Sequence, residues 1–182
     1  MDAIEMLTND HKKVRELFKA FKGGGGITGL LRRTVGEVTG VERRKVAEQV
    51  CTELEVHTLI EEEIFYPAVR ALADRELLKQ VNEALKEHSR VKKEVASLRE
   101  LHDDVDSLEQ RMNQLEEDVE HHATEEEDEM FPRLEEVMPD DERRELARRM
   151  HALRMHELKE RAAASASAGA SGAPGGERVA SR

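Results

Sequence analysis

The sequence predicts an all-α protein, and three observations support this prediction. Leu, Val, Ala, Glu, Lys and Arg dominate the 182 residues, and most of these amino acids favour helices. Only 3% of the residues are aromatic, there is no Trp, and Gly and Pro are confined to a few places. Apolar residues recur at alternating steps of three and four in four long segments, as a helix with one buried face requires.

The composition excludes several classes of protein. A net charge of -11 repels nucleic-acid phosphates and anionic lipid, so we expect neither as a partner. No apolar run approaches the ~18 residues of a membrane span. The single cysteine, Cys51, cannot form an intramolecular disulfide, and the first residues resemble no secretion signal. The expected location is the cytoplasm.

The first two predicted helices are separated by a long connection. One helix covers Ile4 to Phe21, where His11 falls on the apolar stripe. The segment GGGGITGLLRRTVGEVTG follows and holds seven of the 11 glycines, too many for a continuous helix. We expect a loop there, with at most a short helical turn near Leu30. The second helix begins near Val41 and ends at Tyr66-Pro67, because proline disfavours helical geometry in the residue before it.

Three further helices are predicted. One starts near Asp74, and the next covers about Asp106 to Phe131. The last, from about Asp140 to Glu160, is rich in charge and has a thin apolar line, so we interpret it as an accessory helix. The predicted domains are 1–135 for the main helices, 136–161 for the accessory helix and 162–182 for a disordered tail rich in Ala, Ser and Gly.

A repeated pattern links the second and fourth helices. In VHTLIEEEIFYP a histidine and a glutamate stand four residues apart, so they share one helical face. The segment HHATEEEDEMFP repeats the pattern 65 positions later. The first and third helices each add a histidine that follows an acidic residue. The six candidate ligands are His11, His57, Glu61, His88, His122 and Glu126.

These six residues predict a metal centre because they lie on the apolar stripes. Buried imidazoles and carboxylates without partners would cost several kcal/mol each. A site between the helices of a four-helix bundle can satisfy them by binding two metal ions. Four imidazoles and two carboxylates suit iron, manganese or zinc. The simplest arrangement gives each ion two histidines, lets both glutamates bridge the ions, and completes the coordination with solvent oxygen.

Neighbouring residues offer alternatives. His121 also has a glutamate four positions later, Glu125, but Leu115 and Val119 place His122 on the buried stripe. Glu62 and Glu127 fit a solvated acidic face, or a role in orienting a histidine. Tyr66 stands about 140° from Glu61 on an α-helix, so we expect it to face away from the site.

Four motifs together resemble the hemerythrin family, in particular bacterial hemerythrin-like proteins with the His-His-Glu cation-binding domain. They are DHxxV at 10–14, HxxxEE with its proline at 57–67, EHxxV at 87–91, and HxxxEE with FP at 122–132. The resemblance covers about residues 1–135. It implies an up-down four-helix bundle with an oxo- or hydroxo-bridged di-iron centre, held by the same six residues.

The resemblance leaves the function open, because members of the family bind dioxygen, handle iron, sense redox state or react with peroxide. Family members that carry oxygen use five histidines, and the fifth has no counterpart in this sequence. We therefore expect reaction with peroxide, dioxygen or nitric oxide, with peroxide disproportionation as one concrete activity. The alternatives are an iron or oxygen sensor, a helical interaction module without metal, and a di-zinc hydrolase.

Overall fold

The computed structural model describes residues 1–23, 40–101 and 105–170, and all regular secondary structure in these ranges is helical. Two π-helical turns, which we name π1 and π2, interrupt the helices. The elements in chain order are α1 (Ala3–Phe21), α2 (Gly40–Ile60), π1 (Glu61–Phe65), α3 (Tyr66–Ala71), α4 (Arg75–Glu100), α5 (Val105–Glu125), π2 (Glu126–Met130), α6 (Phe131–Val137) and α7 (Asp140–Ala170).

Helices α1, α2, α4 and α5 form an up-down bundle, as the sequence predicts. The side-chain pairs between neighbours show their direction, because residue numbers rise on one helix as they fall on the next. Along α1 and the α5 side, His11 contacts Glu127, Arg15 contacts Glu120 and Lys22 contacts Glu116. Pairs between α2 and α4 and between α4 and α5 run the same way. Each helix is therefore antiparallel to both of its neighbours.

Local sequence defines where two of these helices begin. Asp2 caps α1 by accepting a hydrogen bond from the Glu5 backbone, while the Glu5 side chain accepts one from the Asp2 backbone. Asp74, predicted to lie at the start of its helix, caps α4 by accepting from the backbone N–H groups of Glu76 and Leu77. These caps satisfy backbone donors that a helix leaves unpaired at its first turn.

Two apolar clusters fill the bundle, one towards each end. One contains the start of α1, with Leu7, and the residues around both π turns. The other contains the end of α1, with Phe18, and the facing parts of α2, α4 and α5. The candidate ligands lie in the layer between the clusters. Both clusters exclude water from this layer, so its polar groups must find partners within the protein or in a bound ion.

The two prolines do not end their helices, contrary to the prediction. Helical geometry continues past Pro67 to Ala71 and past Pro132 to Val137. In each case a π turn precedes the proline: the Tyr66 N–H donates to the Glu61 carbonyl, five residues back, instead of four. Phe131 and Glu126 repeat this bond. The wider turn changes the register just before the proline, which then occupies the first turn of a new helix, where it needs no donor.

Helix α7 lies against α1 and α2. Its Arg143 donates to Asp2 at 3.0 Å, Arg154 binds Asp10, and Arg161 binds Glu55 of α2. The helix continues to Ala170, whereas we expected disorder from residue 162. Residues 162–167 are exposed, so intrinsic propensity accounts for the extension, since alanine is the best helix former.

Some predictions fall on parts of the chain that are not described. The glycine-rich connection lies almost wholly within 24–39, and the end of the tail is 171–182. Among the residues that are described, no helix is both long enough and apolar enough to cross a bilayer.

Candidate metal centre

The structure brings all six candidate ligands together between the two apolar clusters. Each of the four main helices provides one histidine, and the two π turns provide the glutamates. None of the six side chains is more than 4% exposed. The two histidine–glutamate motifs lie where α2 meets π1 and where α5 meets π2. The other two histidines, His11 and His88, face them from α1 and α4. The spacing on the apolar stripes therefore predicted the burial of all six side chains.

The four histidines form two pairs. The rings of His11 and His57 have centroids 4.9 Å apart, and those of His88 and His122 have centroids 4.7 Å apart. The rings of His57 and His122, which belong to different pairs, are 6.2 Å apart. The Nε2 atoms of His88 and His122 approach to 3.2 Å. Each pair can thus offer two nitrogen atoms to one ion.

The two glutamates connect the histidine pairs. Oε2 of Glu61 lies 3.2 Å from Nε2 of both His57 and His88, one histidine from each pair. Oε2 of Glu126 lies 3.4 Å from Nε2 of His11 and 3.8 Å from Nε2 of His122, again one from each pair. Each carboxylate therefore lies between the two histidine pairs.

Carboxylates also face the opposite nitrogen of every ring. Nδ1 lies 2.8 Å from Glu127 in His11, 3.0 Å from Glu62 in His88 and 3.1 Å from Glu87 in His122. In His57 it lies 3.6 Å from Asp10, slightly beyond hydrogen-bond distance. Because a carboxylate only accepts, Nδ1 carries a proton in the bonded rings, and Nε2 is the nitrogen that faces the centre and would bind a metal ion.

Two of these four contacts lie within one half of the repeat, and the other two connect the halves. Asp10 and Glu87, the acidic residues just before His11 and His88, each hold the histidine of the His-x3-Glu motif in their own half. The glutamates after Glu61 and Glu126 cross over instead: Glu62 binds His88, and Glu127 binds His11. Of the two interpretations given for Glu62 and Glu127, a solvated face or a role in orienting a histidine, these contacts agree with the second.

The acidic surroundings favour protonated histidines in the absence of a cation. Burial alone would lower the pKa of His11, but its contacts with Glu126 and Glu127 raise it to about 9. For His88, burial again acts to lower the pKa, but its contacts with Glu61 and Glu62 raise it to about 9. A metal ion would have to displace these protons, so its binding releases protons.

The pKa values of Glu61 and Glu126 shift in opposite directions. Burial and the negative charge of Glu126 raise the pKa of Glu61. Burial also acts to raise the pKa of Glu126, but the charge on His122 and the contact with His11 lower it below its usual value. Two buried carboxylates this close repel each other unless positive charge lies between them. Protonated imidazoles supply that charge here, and a cation would supply it directly.

Several atoms in this layer have no hydrogen-bond partner. Among the described residues, buried atoms without one include Nε2 of His11 and His57, both oxygens of Glu61 and Oε2 of Glu126. Four side chains, His11, His57, Glu61 and His122, each offer an atom within 4.8 Å of the others, a spacing that fits a metal ion. Since unpartnered buried polar groups are rare, these residues fit a bound cation.

Tyr66 lies inside the site, and the prediction that it faces away is wrong. Its hydroxyl donates to Oε1 of Glu126 at 2.9 Å and lies 3.3 Å from Nε2 of His88. The π turn explains the error, because a residue five positions after Glu61 returns to the same face in a π turn. Burial and the charges of Glu126 and Glu61 raise the pKa of Tyr66 well above its usual value. The hydroxyl therefore stays protonated.

The equivalent residue of the second repeat is Phe131, which makes the centre asymmetric. Its ring stacks on His11, with centroids 6.1 Å apart and planes inclined by 6°. The side of the centre near His88 thus has a hydroxyl donor, and the side near His11 has an apolar wall. The sequence already shows this difference, FYP against MFP, but it does not show that both rings reach the site.

Three other groups near the site were not predicted. Glu87 is 2% exposed and Asp10 is 9% exposed, although aspartate and glutamate side chains usually face solvent. Arg154 of α7 donates to Asp10 at 2.9 Å, which connects the accessory helix to the contact with His57. The acid-histidine dipeptides were visible in the sequence, but assigning their partners requires knowing how the helices pair.

A helical bundle with a layer of buried histidines and glutamates defines a class of metal-binding proteins. The family model for the hemerythrin HHE cation binding domain matches residues 2–134, and an overlapping second match covers 80–178. The chain therefore belongs to the hemerythrin HHE cation-binding domain family, as the sequence motifs indicated. Comparisons with curated proteins and with solved structures found no match.

Proposed function

We propose that this protein holds two iron ions and reacts with a small oxidant: hydrogen peroxide, dioxygen or nitric oxide. The observation that carries the proposal is the arrangement of two histidine pairs with Glu61 and Glu126 between them. A mixed set of imidazole and carboxylate ligands is typical of non-haem iron. The concrete activity we propose is disproportionation, in which two molecules of hydrogen peroxide give two of water and one of dioxygen.

The pairing suggests which residues would hold each ion. His11 and His57 would bind one, and His88 and His122 the other. Glu61 and Glu126 would bridge them. This set leaves coordination positions for solvent or an oxidant, because four imidazoles and two bridging carboxylates do not fill two octahedra. Iron in such a centre would supply the two-electron exchange that peroxide chemistry requires.

The protein itself supplies orientation and a proton. The carboxylates bonded to Nδ1 would fix the rings of His11, His88 and His122 and increase the basicity of the nitrogen that faces the centre. Tyr66 holds a proton at its hydroxyl oxygen, within 2.9 Å of Glu126 and beside His88. A small oxidant bound at that side would meet a hydrogen-bond donor. The apolar clusters keep bulk water out of the layer.

The test combines metal analysis with a peroxide assay. Protein purified without chelator, or reconstituted with ferrous iron under anaerobic conditions, should contain about two irons per chain. It should evolve oxygen steadily from peroxide, and His57→Ala or Glu126→Ala should abolish both iron binding and oxygen evolution. His151→Ala is the matched control, because His151 is an exposed histidine outside the bundle core. Iron absent after reconstitution would refute the metal assignment, and iron without oxygen evolution would refute the peroxide activity.

A second candidate function is an iron or oxygen sensor, and one contact favours it. Arg154 on α7 binds Asp10, which faces Nδ1 of His57. Burial would raise the pKa of Asp10, but His57 and Arg154 together lower it, so the carboxylate stays ionised between them. A change at His57 on metal loading or oxidation would reach α7 through two side chains.

Limited proteolysis distinguishes this candidate from a simple catalyst. If α7 responds to the centre, residues 140–182 should be cleaved faster in the metal-free protein than in the loaded one. Arg154→Ala should remove that difference, and Arg148→Ala should preserve it, because the pairing of Arg148 in the described part of the chain is with Glu145 of the same helix. Identical digestion of metal-free and loaded wild-type protein would argue against sensing through α7.

A further inference from the structure

A second histidine and glutamate at helical spacing lie one residue before the buried motif. His121 and Glu125 stand on the outer face of α5, where their side chains are 60% and 41% exposed. Oε1 of Glu125 lies 3.3 Å from Nε2 of His121. The proposed iron centre uses neither residue, because both point away from the buried layer.

A third group completes this cluster from the neighbouring helix. Oε1 of Glu87, on α4, also lies 3.3 Å from Nε2 of His121. The three side chains each offer an atom within 4.8 Å of the other two. Ligands at ~2.1 Å from a tetrahedral ion stand about 3.4 Å apart, so the observed separations suit a small divalent cation.

Glu87 provides the independent indication that a ligand belongs here. The residue is 2% exposed, and its Oε1 atom has no hydrogen-bond partner among the described residues. Its other oxygen accepts a hydrogen bond from Nδ1 of His122 at 3.1 Å. One oxygen of a buried carboxylate is thus satisfied, and the second points at His121 without a hydrogen bond. Leaving such an atom unpaired is costly.

One protein cation already lies nearby. Nη2 of Arg90 is 3.5 Å from Oε1 of Glu87, across one turn of α4. The arginine side chain is 49% exposed, and the separation is long for a charge-assisted hydrogen bond. A weak, half-exposed contact of this kind leaves Oε1 available to an ion and offsets part of the carboxylate charge until one binds.

We infer that His121, Glu125 and Glu87 form an outer site for a divalent transition-metal ion, such as Zn²⁺ or Fe²⁺. One imidazole and two carboxylates provide three ligands, and water completes the coordination from the solvent side. The outer site shares Glu87 with the buried centre, since the same carboxylate holds His122. An ion there would lie one side chain from the buried ligands, where an ion that enters the centre could first bind.

Zinc stoichiometry tests the outer site. Equilibrium dialysis against Zn²⁺, followed by mass spectrometry of metals, gives the number of ions per chain in each variant. The double variant His121→Ala/Glu125→Ala should bind one Zn²⁺ fewer than the wild type. Both side chains are exposed, so the variant should keep its fold, which its melting temperature verifies.

A matched control separates the outer site from ordinary surface binding. His156 and Glu160 on α7 have the same four-residue spacing and are exposed, but among the described residues no third side chain joins them in a group that could hold a metal ion. His156→Ala/Glu160→Ala should therefore bind as many Zn²⁺ ions as the wild type. Equal zinc binding by the wild type and the His121→Ala/Glu125→Ala variant would overturn the inference. The comparison counts a difference between variants, so it holds whichever metal occupies the buried centre.

Discussion

Each buried histidine has a carboxylate near its Nδ1 atom and turns its Nε2 atom towards the centre, and this orientation determines which nitrogen could bind a metal ion. One nitrogen faces a carboxylate of the surrounding helices, and the other faces the centre of the layer. The carboxylates Glu62 and Glu127 are themselves paired with surface cations, Lys92 and Arg15. The contact with His88, together with Lys92, lowers the pKa of Glu62 to about 2, so this acceptor remains ionised at neutral pH.

Removing one such acceptor should weaken metal binding without removing a ligand. In Glu62→Ala, Nδ1 of His88 loses its hydrogen-bond partner, and we expect metal affinity to fall by about 10–100-fold. Glu63→Ala is the control, because Glu63 is the adjacent exposed residue of the same π turn. Competition with a chromophoric chelator measures both affinities. Equal affinities in the two variants would mean that Glu62 does not support His88.

The raised histidine pKa values predict how the metal-free protein responds to pH. His11 and His88 have pKa values of about 9 in the folded chain, against 6.5 for an ordinary histidine. The free energy of unfolding that these two protonated histidines contribute is fully present below pH 6.5, and it is lost as the pH rises through about 9. Chelator-treated protein should therefore melt at a lower temperature at pH 9.5 than at pH 6.5.

Metal-loaded protein should not show this loss, because its imidazoles are ligands and carry no proton on Nε2. Thermal melts of both forms, followed by circular dichroism between pH 6 and 10, make the comparison. A metal-free protein that is equally stable at both ends of the range would contradict the proposed protonation of the empty site.

At the scale of the element, the two π turns determine which side chains reach the centre. Both begin at a glutamate of the site and end just before the aromatic residue that precedes a proline. A regular α-helix would place Tyr66 and Phe131 on another face. The π turn therefore adds one side chain per repeat to the layer, in keeping with the frequent occurrence of π turns at functional sites.

Tyr66→Phe should affect the centre while leaving the fold intact. The change removes the hydroxyl that donates to Glu126 and gives the first repeat the ring of the second. We expect the loss of about 1–2 kcal/mol of stability, since a buried carboxylate oxygen loses its donor. The visible spectrum of the iron-loaded protein should also shift. Unchanged stability and an unchanged spectrum would show that the hydroxyl does not act on Glu126.

The sequence predicted the six buried side chains because a helical stripe places them without knowledge of the partners. His122 was correctly preferred to His121, since Leu115 and Val119 share its stripe and are buried. The position of Tyr66 was predicted wrongly because the π turn changes the register of the helix. The proline at the end of the motif indicates that the regular helix is interrupted there, but it does not show that the interruption is a π turn. Asp10, Glu87 and Arg154 could not be assigned, because their contacts depend on how distant segments pack.

At the scale of the whole molecule, a polar layer divides two apolar clusters. The clusters consist of hydrophobic side chains, whereas the layer contains several buried polar atoms without hydrogen bonds. The free energy of metal binding is therefore concentrated in the middle of the bundle. A ligand that binds only the folded state stabilises it in proportion to the logarithm of its concentration over its dissociation constant.

Removal of the metal should loosen the layer first. Hydrogen exchange followed by mass spectrometry should show faster exchange in peptides around π1 and π2 after chelation. Peptides from the cluster that contains Phe18 should change less, because their packing does not include the ligands. Faster exchange spread equally along all four helices would indicate that the bundle unfolds as one unit instead.

The crossed contacts of Glu62 with His88 and of Glu127 with His11 have a consequence for how such a protein can arise. Each half of the chain provides an acceptor that only the other half uses, so one half alone cannot complete its own site. Two identical halves related by a two-fold axis would satisfy every one of these contacts. A short ancestral chain could therefore have worked as a homodimer, and a single gene duplication with fusion would have preserved the site while allowing Tyr66 and Phe131 to diverge.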